Sequence, residues 1–208
     1  RRAGHEVREV ALATFLRQIQ ISPGDRVALL AESRPEWCIA YLGIVAAGAT
    51  AVPLDVQLGP QEVENLLHHS ESRAIVVSEA ALDKTHALVA RLSSRPQVIL
   101  LDEKAPAGVY TLAEILQTSP SPLPSVPSES TASILYTSGT TGSPKGVILT
   151  HRNLGSNSSA VRELGICGPE DNLLALLPLH HVYAFMITFI TPLFSGARVT
   201  FLQSLKPP

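Results

Sequence analysis

The chain has 208 residues, 45% apolar and 16% charged, enough to bury a sizeable core without disulfides or metals. Its formal net charge is −2, so the positive field needed to hold a polyanion is missing and nucleic acid is excluded as a partner. The two cysteines, Cys38 and Cys167, make no C-x-x-C or His-interleaved pattern, which reads as two free thiols in a reducing, cytoplasmic setting.

In chain order, Glu6–Gln18 carries apolar residues at Val7, Val10, Ala11, Ala13 and Leu16, with Ile19 beyond, and reads as a surface helix. Pro23-Gly24-Asp25 then turns the chain into a first strand. From Arg26 onward short apolar runs alternate with amphipathic segments, the pattern of an α/β fold with largely parallel sheets covered by helices. Strands are expected at Arg26–Ala31, Thr50–Pro53, Arg73–Ser78 and Gln97–Leu101, with helices between them. Ser33 and Glu36 have capping-box spacing, Pro35 sits in a first helical turn, and Gly48 stands where a left-handed terminator belongs. Trp37, Ala40, Tyr41, Ile44 and Val45 then share one buried stripe. In the next helix Pro60 opens, and Val63, Leu66 and Leu67 repeat on one face. His68 and His69 end it; being adjacent they share no face, so they read as partners of the helix dipole rather than metal ligands.

Ser and Pro alternate through 119–131, an extended connector between a first α/β region (1–118) and a second (132–208). Beyond it, strands are expected at Ala132–Thr137, Val147–Leu149, near Leu173–Leu177 and at Arg198–Leu202, with a helix capped by Thr150 and another from about His181 to Phe194. Asn172–Ala197 has no charged residue, but its prolines and histidines favour a buried strand and helix over a membrane span. Peripheral membrane contact stays open. Position 1 is Arg, the sole methionine is Met186, and 205–208 has no tail character; both ends read as cut.

Between two of the expected strands, Tyr136–Val147 packs five Ser/Thr residues, three glycines and one lysine. Glycines let backbone N–H groups turn toward a common point, hydroxyls add donors, and lysine supplies a point charge: the parts needed to hold a polyphosphate. A flexible linker is the bland alternative, but the tract is short and ends in Pro-Lys-Gly. A Walker loop is excluded, because Lys145 is followed by glycine and a strand rather than Ser/Thr and a helix.

Ser138-Gly139-Thr140-Thr141-Gly142-Ser143-Pro144-Lys145-Gly146 resembles the signature of the AMP-forming adenylate superfamily of acyl-CoA ligases, luciferases and nonribosomal adenylation domains. Gly24–Leu30, Pro35-Glu36-Trp37 and Gly48–Leu54 are similar to the opening of the same fold. The resemblance implies that Thr137, Ser138, Gly139, Thr140, Thr141, Gly142 and Lys145 contact ATP. It implies, too, that Lys145 is catalytic and that Thr137 touches Mg²⁺. The carboxylate then attacks the α phosphorus, and coenzyme A takes the acyl group from the adenylate.

Leu177–Phe185 resembles the second signature of the CoA-ligase branch. On that likeness His181 is the catalytic and substrate-binding histidine and Tyr183 lines the acyl pocket. Phe185, Met186, Ile187 and Phe189 suit a fatty chain; an aryl acid stays open as substrate. The resemblance makes the chain the N-terminal part of a fatty acyl-CoA ligase, inactive by itself and prone to self-association through an uncovered face. A non-catalytic phosphate- or acyl-binding module is the alternative from another class.

Overall fold

A computed structural model of the protein describes residues 2–137 and 145–202, with side chains from residue 8 onward. Seven strands form one sheet in the order β5-β4-β3-β1-β2-β6-β7. They are β1 (Arg26–Leu30), β2 (Thr50–Leu54), β3 (Ala74–Val77), β4 (Gln97–Leu100), β5 (Tyr110–Thr111), β6 (Thr131–Thr137) and β7 (Lys145–Thr150). All neighbours are parallel except β6 and β7, an antiparallel hairpin. Two further strands, β8 (Asn172–Ala175) and β9 (Arg198–Phe201), pair in parallel as a separate sheet.

The central strands bury both faces, which parallel strands must when helices cover each side. Val27 and Leu29 of β1 join one core cluster and Ala28 and Leu30 the other. The first cluster is closed by helices α1 (Arg2–Gln18) and α2 (Pro35–Ala46), the second by α3 (Pro60–Ser70) and α4 (Glu79–Val89). Helix α1 buries Ala11, Leu12, Ala13 and Leu16. It approaches α2 so closely that a Cβ at Gly43 would stand 2.8 Å from Leu12. As expected, Gly48 ends this region with φ of +81°.

The expected capping box of α2 does not form. The helix starts at Pro35, so the N-cap falls on Arg34, which caps with no side-chain hydrogen bond. Ser33, one position too early, accepts a hydrogen bond from the Leu179 N–H at 2.9 Å instead. Arg34 donates to Glu36 and to Asp102, both at 2.7 Å. Asp102 also accepts from the Glu79 N–H at 2.8 Å, so one carboxylate ties the starts of α2 and α4 together.

No element was expected between Leu101 and Thr118, yet β5 and the short helix α5 (Leu112–Ile115) lie there. Thr111 Oγ1 accepts from the Glu114 N–H at 3.2 Å, while the Glu114 carboxylate accepts from the Thr111 N–H at 3.0 Å. The Thr-x-x-Glu signal was present in the sequence. The Ser/Pro segment is extended and lies along α1, with Ser121 N–H donating to Thr14 Oγ1 at 3.0 Å and Arg17 to the Pro122 carbonyl at 2.7 Å. It delivers β6 beside β2, in parallel.

Helix α6 (His151–Glu163) is capped by Thr150 as expected, its hydroxyl accepting from the Asn153 N–H at 3.1 Å. After β8 comes one helical run over 182–195. It comprises α7 (Val182–Phe185), a π-helical turn (Met186–Ile190) and α8 (Thr191–Ser195), stopped by Gly196 with φ of +74°. Among the described residues no helix is long and apolar enough to cross a membrane.

Candidate functional site

Two sequence motifs meet the same edge of the sheet. In the hairpin, Thr137 ends β6 and Lys145 begins β7, and the two are Cα partners across the ladder. Both are exposed. Ser138, Gly139, Thr140, Thr141 and Gly142, together with Ser143 and Pro144, lie outside the described residues. What the structure places is therefore the mouth of the expected phosphate loop, with a hydroxyl on one stem and an ammonium on the other. An added Cβ at Gly146 would come within 2.8 Å of Ile134 Cγ2 and 3.4 Å of Tyr136 Cε1, so glycine there lets side chains of β6 lie over the backbone of β7.

Behind the mouth, Tyr136 is half-buried, and burial pushes its phenol up. Its hydroxyl shares a 2.6 Å hydrogen bond with His69 Nδ1. His69 is in the last turn of α3, where a dipole partner was expected; its contact with Tyr136 was not foreseen, since nothing in the local pattern reports a partner 67 positions away.

The second motif forms a turn leading into the helical run. His181 is its N-cap, and its carbonyl accepts from the Phe185 N–H at 2.9 Å. The His181 side chain is exposed, its ring centroid 4.2 Å from that of His180. His180 is largely buried, with Nε2 3.5 Å from Asp55 Oδ2 and no hydrogen-bond partner. Burial pushes the His180 imidazole down against the opposing pull of Asp55, so it is neutral at pH 7.

Two links carry this turn to the sheet edge. Ser33, just past β1, holds the Leu179 N–H, and Asp55, just past β2, faces His180. Strands β2 and β6 run parallel from the register Ala51 with Ser133, so Asp55 and Thr137 each lie four residues further toward the same edge. His181, Thr137 and Lys145 thus belong to the carboxyl ends of the parallel strands, where open α/β sheets bind ligands.

One expectation for an acyl site needs correction, that for Phe185. Tyr183 is 68% exposed on the turn beside His181. Phe185 and Phe189 are core residues, their rings 4.9 and 5.5 Å from Tyr41 and both edge-on to Trp37. The helical phase, set by α2, turns Phe185 fully inward, so its apolar character reports packing, whereas Phe189 packs in the core and also reaches the wall of a groove. The large cavity is an open, apolar groove of about 1280 Å³ along α2, lined by Leu42, Val45, Phe189, Phe194 and Phe201, with Cys38 and His151 in its wall. Burial raises the Cys38 thiol and lowers the His151 imidazole, which leaves both uncharged at pH 7.

Among the described residues no group of three or more His, Cys, Asp or Glu is placed to hold a metal ion. Thr137 offers one oxygen at the loop mouth. That suits Mg²⁺, which is usually held by few protein oxygens together with substrate phosphates.

Comparison with known proteins identifies a family and a fold. Residues 6–208 match the family model described as AMP-binding enzyme. A long-chain-fatty-acid–CoA ligase of Thermus thermophilus is 30% identical over 88% of this chain and 34% of its own length. A sulfoacetate–CoA ligase of Cupriavidus necator is 31% identical over 86% of the chain and 35% of its own length. Among solved structures, ATP-bound MatB from Rhodopseudomonas palustris superposes with a TM-score of 0.86 at 29% identity, over 98% of this chain and 40% of that one. The chain thus spans about a third of the length of the curated relatives it matches.

Proposed function

The chain belongs to the AMP-binding enzyme family, and from that premise we propose that the protein carrying it is an ATP-dependent acyl-CoA ligase acting on a fatty carboxylate. The observation that carries the reading is the pairing of Thr137 with Lys145 at the carboxyl edge of the sheet, closing a Ser/Thr/Gly loop between them. In this reading the loop holds the β and γ phosphates of ATP, and the Lys145 ammonium offsets their charge. Thr137 supplies one oxygen to Mg²⁺, which when bound neutralises phosphate charge.

A carboxylate oxygen of the substrate attacks the α phosphorus, and the bond from that phosphorus to the bridging oxygen of pyrophosphate breaks. The products of this step are acyl-AMP and pyrophosphate. The thiol of coenzyme A then loses its proton, attacks the acyl carbon and releases AMP. His181, exposed on the neighbouring turn, donates an imidazole N–H to the carboxylate or acyl phosphate, and Tyr183 stands two residues on, beside the acyl group. Most of the gain in such a reaction comes from positioning and charge neutralisation, which a cationic loop supplies.

The fatty substrate is supported by the Thermus relative. The sulfoacetate ligase, at similar identity, favours a second reading in which the carboxylate is short and polar. Pyrophosphate release by the complete protein, measured with a long-chain fatty acid, an aryl acid and sulfoacetate in turn, decides between them; the fatty acid is expected to give the highest kcat/KM. No ATP-dependent release with any carboxylate would sink the ligase reading. A cytoplasmic location is supported by Cys38 and Cys167, both free. Self-association of this chain is supported by the open groove and by Ile148, 62% exposed on β7.

A further inference from the structure

We propose that His69 is a positioning residue for Thr137 and Lys145, the two stem residues of the hairpin, acting through Tyr136. The inference rests on the reading that the loop between them holds ATP, and it names the part of the scaffold that presets these two residues.

The geometry is specific. Tyr136 is the last residue of β6 before Thr137, and it pairs with Gly146, the residue after Lys145. Its ring lies over Gly146, since a Cβ built there would sit 3.4 Å from Tyr136 Cε1. One aromatic ring therefore touches both stems of the hairpin at the rung just behind the mouth. The hydroxyl of that ring is bound by His69 Nδ1 at 2.6 Å, with the two rings edge-on at 5.6 Å. His69 is itself on a fixed support. The end of α3 is pinned to β1 by Arg26, whose Nε donates to the Ser70 carbonyl at 2.7 Å and whose Nη2 meets the Glu71 carboxylate at 2.6 Å. The chain of contacts thus runs from the central strand β1 through Arg26, the α3 terminus, His69 and Tyr136 to Thr137 and Lys145.

Thr137 and Lys145, the stem residues that this reading sets against ATP, are Cα partners. Holding the two at a set spacing reduces the ordering that binding must impose on them, and this preorganisation appears as affinity. The contact is made without ATP and lies behind the residues that would meet it. Its loss should therefore weaken ground state and transition state alike, raising KM for ATP while leaving kcat in place. A single hydrogen bond of ordinary net strength corresponds to roughly a five-fold change.

The test uses the complete protein with ATP varied at saturating carboxylate and coenzyme A. His69→Ala and Tyr136→Phe are each expected to raise KM for ATP about five-fold, with kcat and the KM for carboxylate near wild type. The double variant should be no worse than either single one, because both remove the same contact. His69→Asn, whose amide also reaches a hydroxyl, should restore part of the affinity. Tyr136→Phe keeps the ring and guards against a variant that merely fails to fold. Unchanged KM for ATP in both single variants overturns the inference, as does a loss spread evenly over all substrates that follows the melting temperature. A wild-type protein that consumes ATP while both variants match it contradicts this proposal alone, whereas a wild-type protein that consumes none contradicts the ligase reading as well.

Discussion

The two halves of the main sheet put their apolar runs to different ends. Strands β1, β2 and β3 are apolar and buried almost throughout, whereas β7 carries an apolar run, Val147–Leu149, that leaves Val147 43% and Ile148 62% exposed. The first half is finished by its own helices. The second half carries the loop mouth and the glycine that admits Tyr136, and the turn with His181 reaches the same edge through Ser33 and Asp55. Burial on both sides makes a strand stiff and specifies its register; exposure leaves backbone and side chains free to meet a ligand. The molecule thus pairs a rigid platform with an open working edge, and variants should separate the two.

The largest expected effect is in the platform. Trp37 is 1% exposed, stacks on Tyr41 at 5.8 Å and meets Phe185 and Phe189 edge-on. Trp37→Ala should cost about 3–5 kcal/mol in denaturant unfolding. A loss below 1 kcal/mol would break the comparison, because it would mean that this core does not hold the helical run in place.

Next comes the working edge. Lys145→Ala should lower ATP-dependent adenylation at least about 100-fold, the scale seen when one donor of a charge-stabilising site is removed. Because Lys145 is exposed, the melting temperature should stay close to wild type. Equal damage to fold and activity would erase the distinction between the halves.

The smallest effect is a pH dependence. His151 and His180 are both shifted down by burial, so the unfolded chain binds protons more readily than the folded one. Their contribution to stability is full above the ordinary histidine range, about 6.5, and declines as the pH falls below it. Melting temperatures taken from pH 8 to pH 5.5 should drop, and His180→Asn together with His151→Asn should flatten the drop. A rise in stability over that interval contradicts the burial argument.

How much of this was readable from the residues differs along the same divide. The buried strands and α2 and α3 announce themselves through runs such as Val27–Leu30 and through Pro35, Gly48 and Pro60, because local patterning and burial point the same way. Ser33 was misread, since its hydroxyl serves a residue 146 positions away instead of its own helix. Phe185 was misread because an apolar residue after a binding motif looks alike whether it faces a substrate or Trp37; only the helical phase against α2 decides. The loop mouth was foreseen in its residue types, but the support from His69 was not, as a contact between separate elements leaves no periodic trace.

The central claim is that a carboxylate is joined to the α phosphorus of ATP at the edge held by Thr137 and Lys145. Turnover of the complete protein with an ¹⁸O-labelled carboxylate tests it directly, with AMP collected and weighed by mass spectrometry. One labelled oxygen in the AMP phosphate is the predicted result, because the bridging oxygen of acyl-AMP stays with phosphorus when the thiol attacks carbon. Unlabelled AMP, or ADP as the nucleotide product, would contradict the account.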